Sequence, residues 1–408
     1  MVVIFGAGKK GEELVNKYYK EKDVVFYDND RRKWNHYVND IQVVTLNKLQ
    51  ELVSKKENKF VISVKNDSML AFVKELDIKG ETYLYENNEL QPIDLSEILF
   101  NYDNALIVGE TNLEKYKTRM NEFKEQGKIK AYEHAKEFIE FKKNNICTPD
   151  ISSIELTNNC NLKCPNCPNS VLSFHKGYIS DDVFEEALKY IPPYKDDTIA
   201  VHCMGEPLLH PKLLCYLERL AEIGANICIS TNGLLLDNKV GKELLECLSK
   251  VDKSIIYISF HTKESVQKWF QFLELFNSFQ RKNGIVFYGQ VLEHNIEDAY
   301  EWLKELGINN PKTHPYIRHI TSHSWGGNVE SRRTEYSEIE VNNRIRNCYY
   351  LRKRKIAVMW DGSLRGCCFD SNATQKCGNI FNFSESTINP HGYELCKYCD
   401  PDWITGYQ

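Results

Sequence analysis

Short apolar runs alternate with stretches whose apolar residues recur every three or four positions, along most of the chain. Residues 1–5 form a run suited to a strand buried on both faces, and residues 12–20 carry helical spacing. Strand-like runs recur at 24–27, 43–44, 60–64 and 82–85, with helical stretches between them, as a small parallel α/β sheet requires. Residues 105–108 read as one more strand, whereas 113–143 is charged with Phe123, Ala131, Ala135, Phe138 and Phe141 at helical intervals. Pro149 fits a boundary after this helical stretch.

From residue 151 the alternation becomes regular. Strands are predicted at 151–156, 198–203, 226–230, 255–260, 285–291 and 313–319, with helices at 181–191, 212–223, 239–249, 264–281 and 296–306. Ser180 is placed as the N-cap of the first of these helices. Six strands joined by crossover helices make a six-unit open barrel, whose ligands sit at the carboxyl ends of its strands.

Composition narrows the class. The chain has 408 residues, 42% hydrophobic and 27% charged, which suits two or three ordinary globular domains. A net charge of −5 argues against non-specific nucleic-acid binding. The apolar start gives way at once to Gly6, Gly8 and the Lys9-Lys10 pair, so no signal-peptide core forms, and no apolar run approaches a membrane span. Fourteen cysteines without an export signal point to a reducing compartment, hence a cytoplasmic location and thiols used for metals or catalysis.

Cys160, Cys164 and Cys167 lie just after the strand 151–156, with three and then two residues between them. Three thiolates so close can hold three irons of a four-iron cluster and leave the last iron open to a small molecule. Structural zinc takes four nitrogen or sulfur ligands arriving as two pairs, and this loop is an unpaired triplet. The spacing resembles the Cys-x3-Cys-x2-Cys loop of the radical S-adenosylmethionine (radical SAM) superfamily, which follows the first strand of a partial β/α barrel. The resemblance implies a 4Fe-4S cluster whose free iron chelates the amino and carboxylate groups of SAM. One electron from the cluster then cleaves the sulfonium to a 5′-deoxyadenosyl radical.

Gly205-Glu206-Pro207, one strand later, matches the superfamily's Gly-Glu-Pro segment, which lines the SAM amino group; a carboxylate and backbone carbonyls accept ammonium protons. Ser230 and Asn232 end the third strand, where related enzymes contact the SAM carboxylate or ribose, and Ser259 and His261 end the fourth. Two residues depart from the pattern. Asn166 stands where an apolar or aromatic residue commonly packs near the adenine, and His261 where an acid is frequent. His202, His210, His314, His319 and His323 show no metal-motif spacing and line the cavity or surface.

In residues 1–90, Gly6, Gly8 and Gly11 follow the first strand and open a helix, and Asp28 ends the second strand where a ribose-binding acid would sit. This block resembles the short Rossmann-type domains of bacterial sugar-modifying proteins, and implies either a nucleotide site or a docking domain of the same shape that binds none. Lys9 and Lys10 face either a diphosphate or solvent.

The tail holds a second cysteine system. Cys348 and Gly362 have thirteen residues between them, Cys367 follows after four more, and Cys396 and Cys399 are separated by two. This resembles the SPASM and shorter twitch domains of radical SAM enzymes. It implies one auxiliary 4Fe-4S cluster on Cys348, Cys367, Cys396 and Cys399, with Cys368 and Cys377 left over; zinc on the same four residues is the alternative. Trp325-Gly326-Gly327-Asn328 resembles the tryptophan-glycine junction of these proteins. Asp370 is a candidate general base or a turn residue, and the basic run 352–355 is a solvated face or a contact for an anionic substrate.

The expected architecture is therefore α/β: a Rossmann-like domain at 1–90, a mostly helical connector at 91–150, a partial (β/α)6 radical SAM barrel at 151–325 and a small cysteine-rich auxiliary domain at 326–408. The expected function is a radical SAM oxidoreductase that abstracts hydrogen from a C–H bond of a small molecule, a sugar or nucleotide-linked sugar by analogy with the first domain. A reducing donor such as flavodoxin or ferredoxin is implied. The alternatives are a SPASM-type peptide maturase and a non-catalytic electron-transfer protein.

Overall fold

A computed structural model describes residues 1–399 apart from 21, 29–32, 64–72, 74, 75, 77, 87, 95–104, 172–174, 281–283, 322, 323, 326, 331, 332, 368, 373 and 376. Cys368, Gly326 and His323 thus lie outside the described residues. The chain forms two compact units, one of residues 1–103 and 335–348, the other of residues 104–334 and 349–399.

The first unit carries strands β1 (Val2–Phe5), β2 (Val24–Tyr27), β3 (Tyr37–Val38), β4 (Ile41–Gln42), β5 (Lys59–Ile62), β6 (Glu81–Glu86) and β7 (Glu89–Pro92). Five of them form one sheet in the order β2-β1-β5-β6-β7, parallel except for β7. Strand alternation decides its packing: Val3 and Phe5 enter one core, Val2 and Ile4 the other, so both faces of β1 are covered. The predicted strand at 43–44 is only a bridge from Val43 to Phe26, because the chain arrives there from the β3–β4 hairpin and leaves at once into helix Leu46–Val53, capped by Thr45.

The second unit opens with helices Ala105–Glu125 and Ile129–Asn144. Residues 105–108 are therefore helical, not a strand: four apolar residues carry no period of their own, and the continuing helical pattern decides their state. The helical pair is tied to the barrel. Arg119 and Lys128 both pair with Asp252, and buried Lys142 pairs with buried Asp150 at the start of the first barrel strand.

All six expected barrel strands form: β8 (Asp150–Ile154), β9 (Ile199–Ala200), β10 (Ile227–Thr231), β11 (Ser254–Ser259), β12 (Ile285–Leu292) and β13 (Ile317–Ile320). They pair in chain order and all in parallel. Ser180 Oγ accepts the Val183 N–H and caps the first crossover helix, Asp181–Lys189, as its sequence predicts. The tail adds what periodicity did not announce. Strand β14 (Lys355–Val358) pairs in parallel with β8, and β15 (Leu364–Arg365) returns antiparallel to β14, so the open sheet has eight strands.

Candidate active site at the three-cysteine loop

Residues 155–159 carry the chain from β8 to the cysteine loop. Thr157 Oγ1 donates to Gly177 O (2.6 Å), and Asn158 both donates to His175 O and accepts the Gly177 N–H, so the segment is pinned on its outer side. Cys160, Cys164 and Cys167 are half-buried. The Leu162 N–H donates to Cys160 Sγ (3.5 Å), the Cys167 N–H to Cys164 O (3.2 Å), and His261 Nδ1 lies 3.4 Å from Cys164 Sγ.

Burial, with the neighbouring Cys167 and Cys160 adding to it, pushes the Cys164 thiol up to about 12. Three sulfurs that repel one another as thiolates call for a cation among them, which the iron of a bound cluster would supply. Among the described residues no three His, Cys, Asp or Glu side chains meet as a single ion would require. A four-iron cluster spreads its metals over separate corners, so its ligands need not converge on one point, and the donor set fits a cluster in that respect.

Gly205 lets the next strand end approach this loop. A Cβ there would lie 2.2 Å from Thr157 O and 2.6 Å from Asn159 O, and the Glu206 N–H donates to Asn159 O (2.8 Å). Glu206, expected to face an ammonium, is turned inward. Its Oε1 accepts from Thr231 Oγ1 (2.7 Å) and the Leu208 N–H (3.0 Å), and its Oε2 from the Asn232 N–H (2.7 Å). Burial raises its pKa, and these donors oppose the rise. A carboxylate has about four acceptor positions, so one remains beside the three used within the protein. Pro207 opens the short 3-10 turn Pro207–Leu209 that Glu206 caps.

Asn232 reaches the loop directly: its Nδ2 donates to Asn161 Oδ1 (2.7 Å). The Ser230 N–H is accepted by His202 Nδ1 (3.0 Å), and Ser259 Oγ donates to Gln290 Oε1 (3.0 Å). Burial lowers both His202 and His261 to about 4, leaving neutral rings; His294 adds to the effect on His261. Asn161, Glu155 and His202 were not singled out from sequence as site residues. Only Glu155 carried a signal, the one charged residue in the predicted strand 151–156. It is buried, accepts the Met204 and Trp360 backbone N–H groups, and is raised to about 7 by burial.

Trp325 ties the loop to the tail. Its Nε1–H donates to Asn166 O (3.1 Å), and its ring meets Phe369 edge to face at 5.5 Å between centroids. Its backbone has φ +52°, rare for a bulky side chain. The Phe369 N–H in turn points at Cys367 Sγ (3.4 Å), and the Tyr393 N–H at Cys396 Sγ (3.3 Å). Cys377 Sγ lies 3.5 Å from the Tyr393 hydroxyl, and Cys399 is buried. Backbone donors aimed at sulfur suit thiolate ligands. Among the described residues both amide atoms of Gln375 and the hydroxyls of Ser371 and Ser386 are buried without a hydrogen-bond partner, as in a segment shaped around a further group. Cys348, the C-cap of helix Glu338–Asn347, belongs to the other unit. Asp370, open in sequence to a base or a turn role, is placed in a turn: it is buried, its Oδ1 accepts from Thr374 N–H and Oγ1, and its Oδ2 accepts the Gln375 N–H.

In the first unit Gly6 has φ +104°, and a Cβ on Gly11 would lie 2.2 Å from Gly6 O, so helix and strand touch as the glycine pattern predicts. Gly8 is extended, with open space where a Cβ would stand. Asp28 braces this turn: its Oδ2 accepts the Ala7 N–H (2.9 Å) and pairs with Lys33 (2.8 Å), a use the ribose expectation did not include.

Comparison with known proteins agrees with the loop. Residues 154–325 match the Radical SAM superfamily, and this part of the chain is a radical SAM domain. The tungsten-containing aldehyde ferredoxin oxidoreductase cofactor-modifying protein of Pyrococcus furiosus is 31% identical over 94 residues; the match spans 23% of this chain and 26% of that protein. BtrN in complex with AdoMet and 2-DOIA aligns at 18% identity over 57% of this chain and 78% of its own, with a TM-score of 0.38. Streptococcus suis SuiB bound to S-adenosylmethionine aligns at 15% identity over 61% and 68%, with a TM-score of 0.37. Scores of that size do not assign a shared fold, and the functional reading rests on the residues themselves.

Proposed function

We propose that this radical SAM enzyme is an oxidoreductase that removes hydrogen from a C–H bond of a small molecule, of the sugar or nucleotide-sugar class. The observation that carries the proposal is the triplet Cys160, Cys164 and Cys167, half-buried at the carboxyl end of β8 and joined by Asn161 to Asn232 at the end of β10. When bound, the cluster supplies the electron that cleaves SAM. The chain's own residues hold the loop: Gly205 admits it, Glu206 locks the ends of the neighbouring strands, and Trp325 fastens Asn166.

A two-electron oxidation begun by loss of a hydrogen atom leaves one electron to place. Cys367, Cys396 and Cys399 are proposed to hold the auxiliary cluster that accepts it, with the remaining position given by sequence spacing to Cys348. The sugar class rests on the glycine turn of Gly6, Gly8 and Gly11, and the initial electron on a flavodoxin or ferredoxin.

The test is transfer of deuterium. Anaerobically reconstituted protein is given SAM, dithionite and deuterated cell extract separated into small-molecule and peptide fractions. The proposal expects deuterium in 5′-deoxyadenosine from the small-molecule fraction. Label arriving only from peptides makes the chain a peptide maturase, and no 5′-deoxyadenosine from any fraction removes the enzyme reading.

A further inference from the structure

The three loop sulfurs are not supported alike. Cys160 Sγ takes a backbone N–H, from Leu162, which every replacement of that side chain except proline keeps. Cys164 Sγ is met by a side chain from the far side of the barrel, His261 Nδ1 at 3.4 Å. The backbone that carries this ring is held in a frame. The His261 backbone N–H donates to Ser259 O (3.0 Å), Asn295 Nδ2 donates to Phe260 O (2.6 Å), and Phe260 packs edge to face on buried Trp269 at 5.3 Å between centroids. The ring also lies near His294, 6.5 Å away between centroids.

We infer that His261 donates a hydrogen bond from Nδ1 to the Cys164 thiolate and thereby sets the reduction potential of the cluster that the loop holds. The inference rests on the three-cysteine reading above. A thiolate can only accept, so pairing with it selects the imidazole tautomer that carries its proton on Nδ1. A donor to a ligand sulfur offsets negative charge, and the reduced cluster is the more negative state. The bond therefore favours reduction: it eases loading of the electron and lessens the driving force with which that electron leaves. His261 is a positioning residue in this sense, acting on the metal through Cys164.

Three variants of the full-length, anaerobically reconstituted protein test this by redox titration of the electron paramagnetic resonance (EPR) signal that responds to added SAM. H261F fills the space without a donor. H261N carries an amide N–H where Nδ1 stands, and H261Q carries one where Nε2 stands. The expected result is a more negative midpoint in H261F and H261Q, with H261N close to the parent protein. Equal midpoints in all three variants and the parent, or an H261N shift as large as that of H261F, overturns the inference. If H261F loads no iron, the contrast between H261N and H261Q decides alone. A parent protein without a SAM-responsive signal defeats the three-cysteine reading itself, which separates the two failures.

Discussion

The site is built from single groups whose partners lie far away in sequence, and Glu155 is the sharpest case. Burial lifts its carboxyl from an ordinary 4.5 to about 7, with the Met204 and Trp360 amides opposing the rise. The folded chain therefore binds this proton more tightly than the unfolded chain. The resulting stabilisation is full below about pH 4.5 and lost as pH rises through about 7. Glu155→Gln is neutral throughout, so its stability relative to the parent should rise across that window by on the order of 3 kcal/mol. Chemical denaturation of parent and variant on both sides of the window measures this, and a pH-independent difference would show that the carboxyl titrates normally. The cysteines were legible because metal ligation demands one residue type at short spacing. Their supports were not, since His261 is 97 residues from Cys164 and Trp325 is 159 from Asn166. Asp370 was open by residue type to two readings, base or turn, and its oxygens accept from the turn it closes.

At the level of elements, the six barrel strands were legible because buried parallel strands read as apolar runs and their crossover helices repeat every three to four residues. What escaped was pairing. Nothing in the run 355–358 announces that β14 will lie beside β8, because sheet neighbours are chosen by tertiary packing. Yet Ile356, Ala357 and Val358 are wholly buried, and Lys355 is held by Tyr194 (2.6 Å) and Asp197 (3.1 Å). The tail thus covers the edge of the strand that leads to the cysteine loop. A chain ended after residue 325 would leave that edge open, and exposed edges template association. Such a chain should elute as aggregates in size-exclusion chromatography while the full-length protein does not. A soluble, monomeric truncated barrel would contradict this role for β14. The error at 105–108 has the same origin on a smaller scale, since a short apolar run takes its conformation from the helical residues C-terminal to it.

Taken as a whole, the molecule assigns its two units different kinds of chemistry. One is a sheet with a glycine turn braced by Asp28 and Lys33; the other is a barrel whose strand ends gather sulfur, buried carboxylate and neutral imidazole around one loop. Among the described residues no helix is long and apolar enough to cross a membrane. The central claim concerns the loop: Cys160, Cys164 and Cys167 hold a cluster with an iron open to SAM. EPR of the reduced protein before and after SAM, in the parent chain and in Cys164→Ala, tests it most directly. The account predicts that SAM changes one cluster signal in the parent, and that in Cys164→Ala this signal is lost while that of the proposed auxiliary cluster persists. A parent spectrum indifferent to SAM, or a SAM response that survives without Cys164, would contradict it.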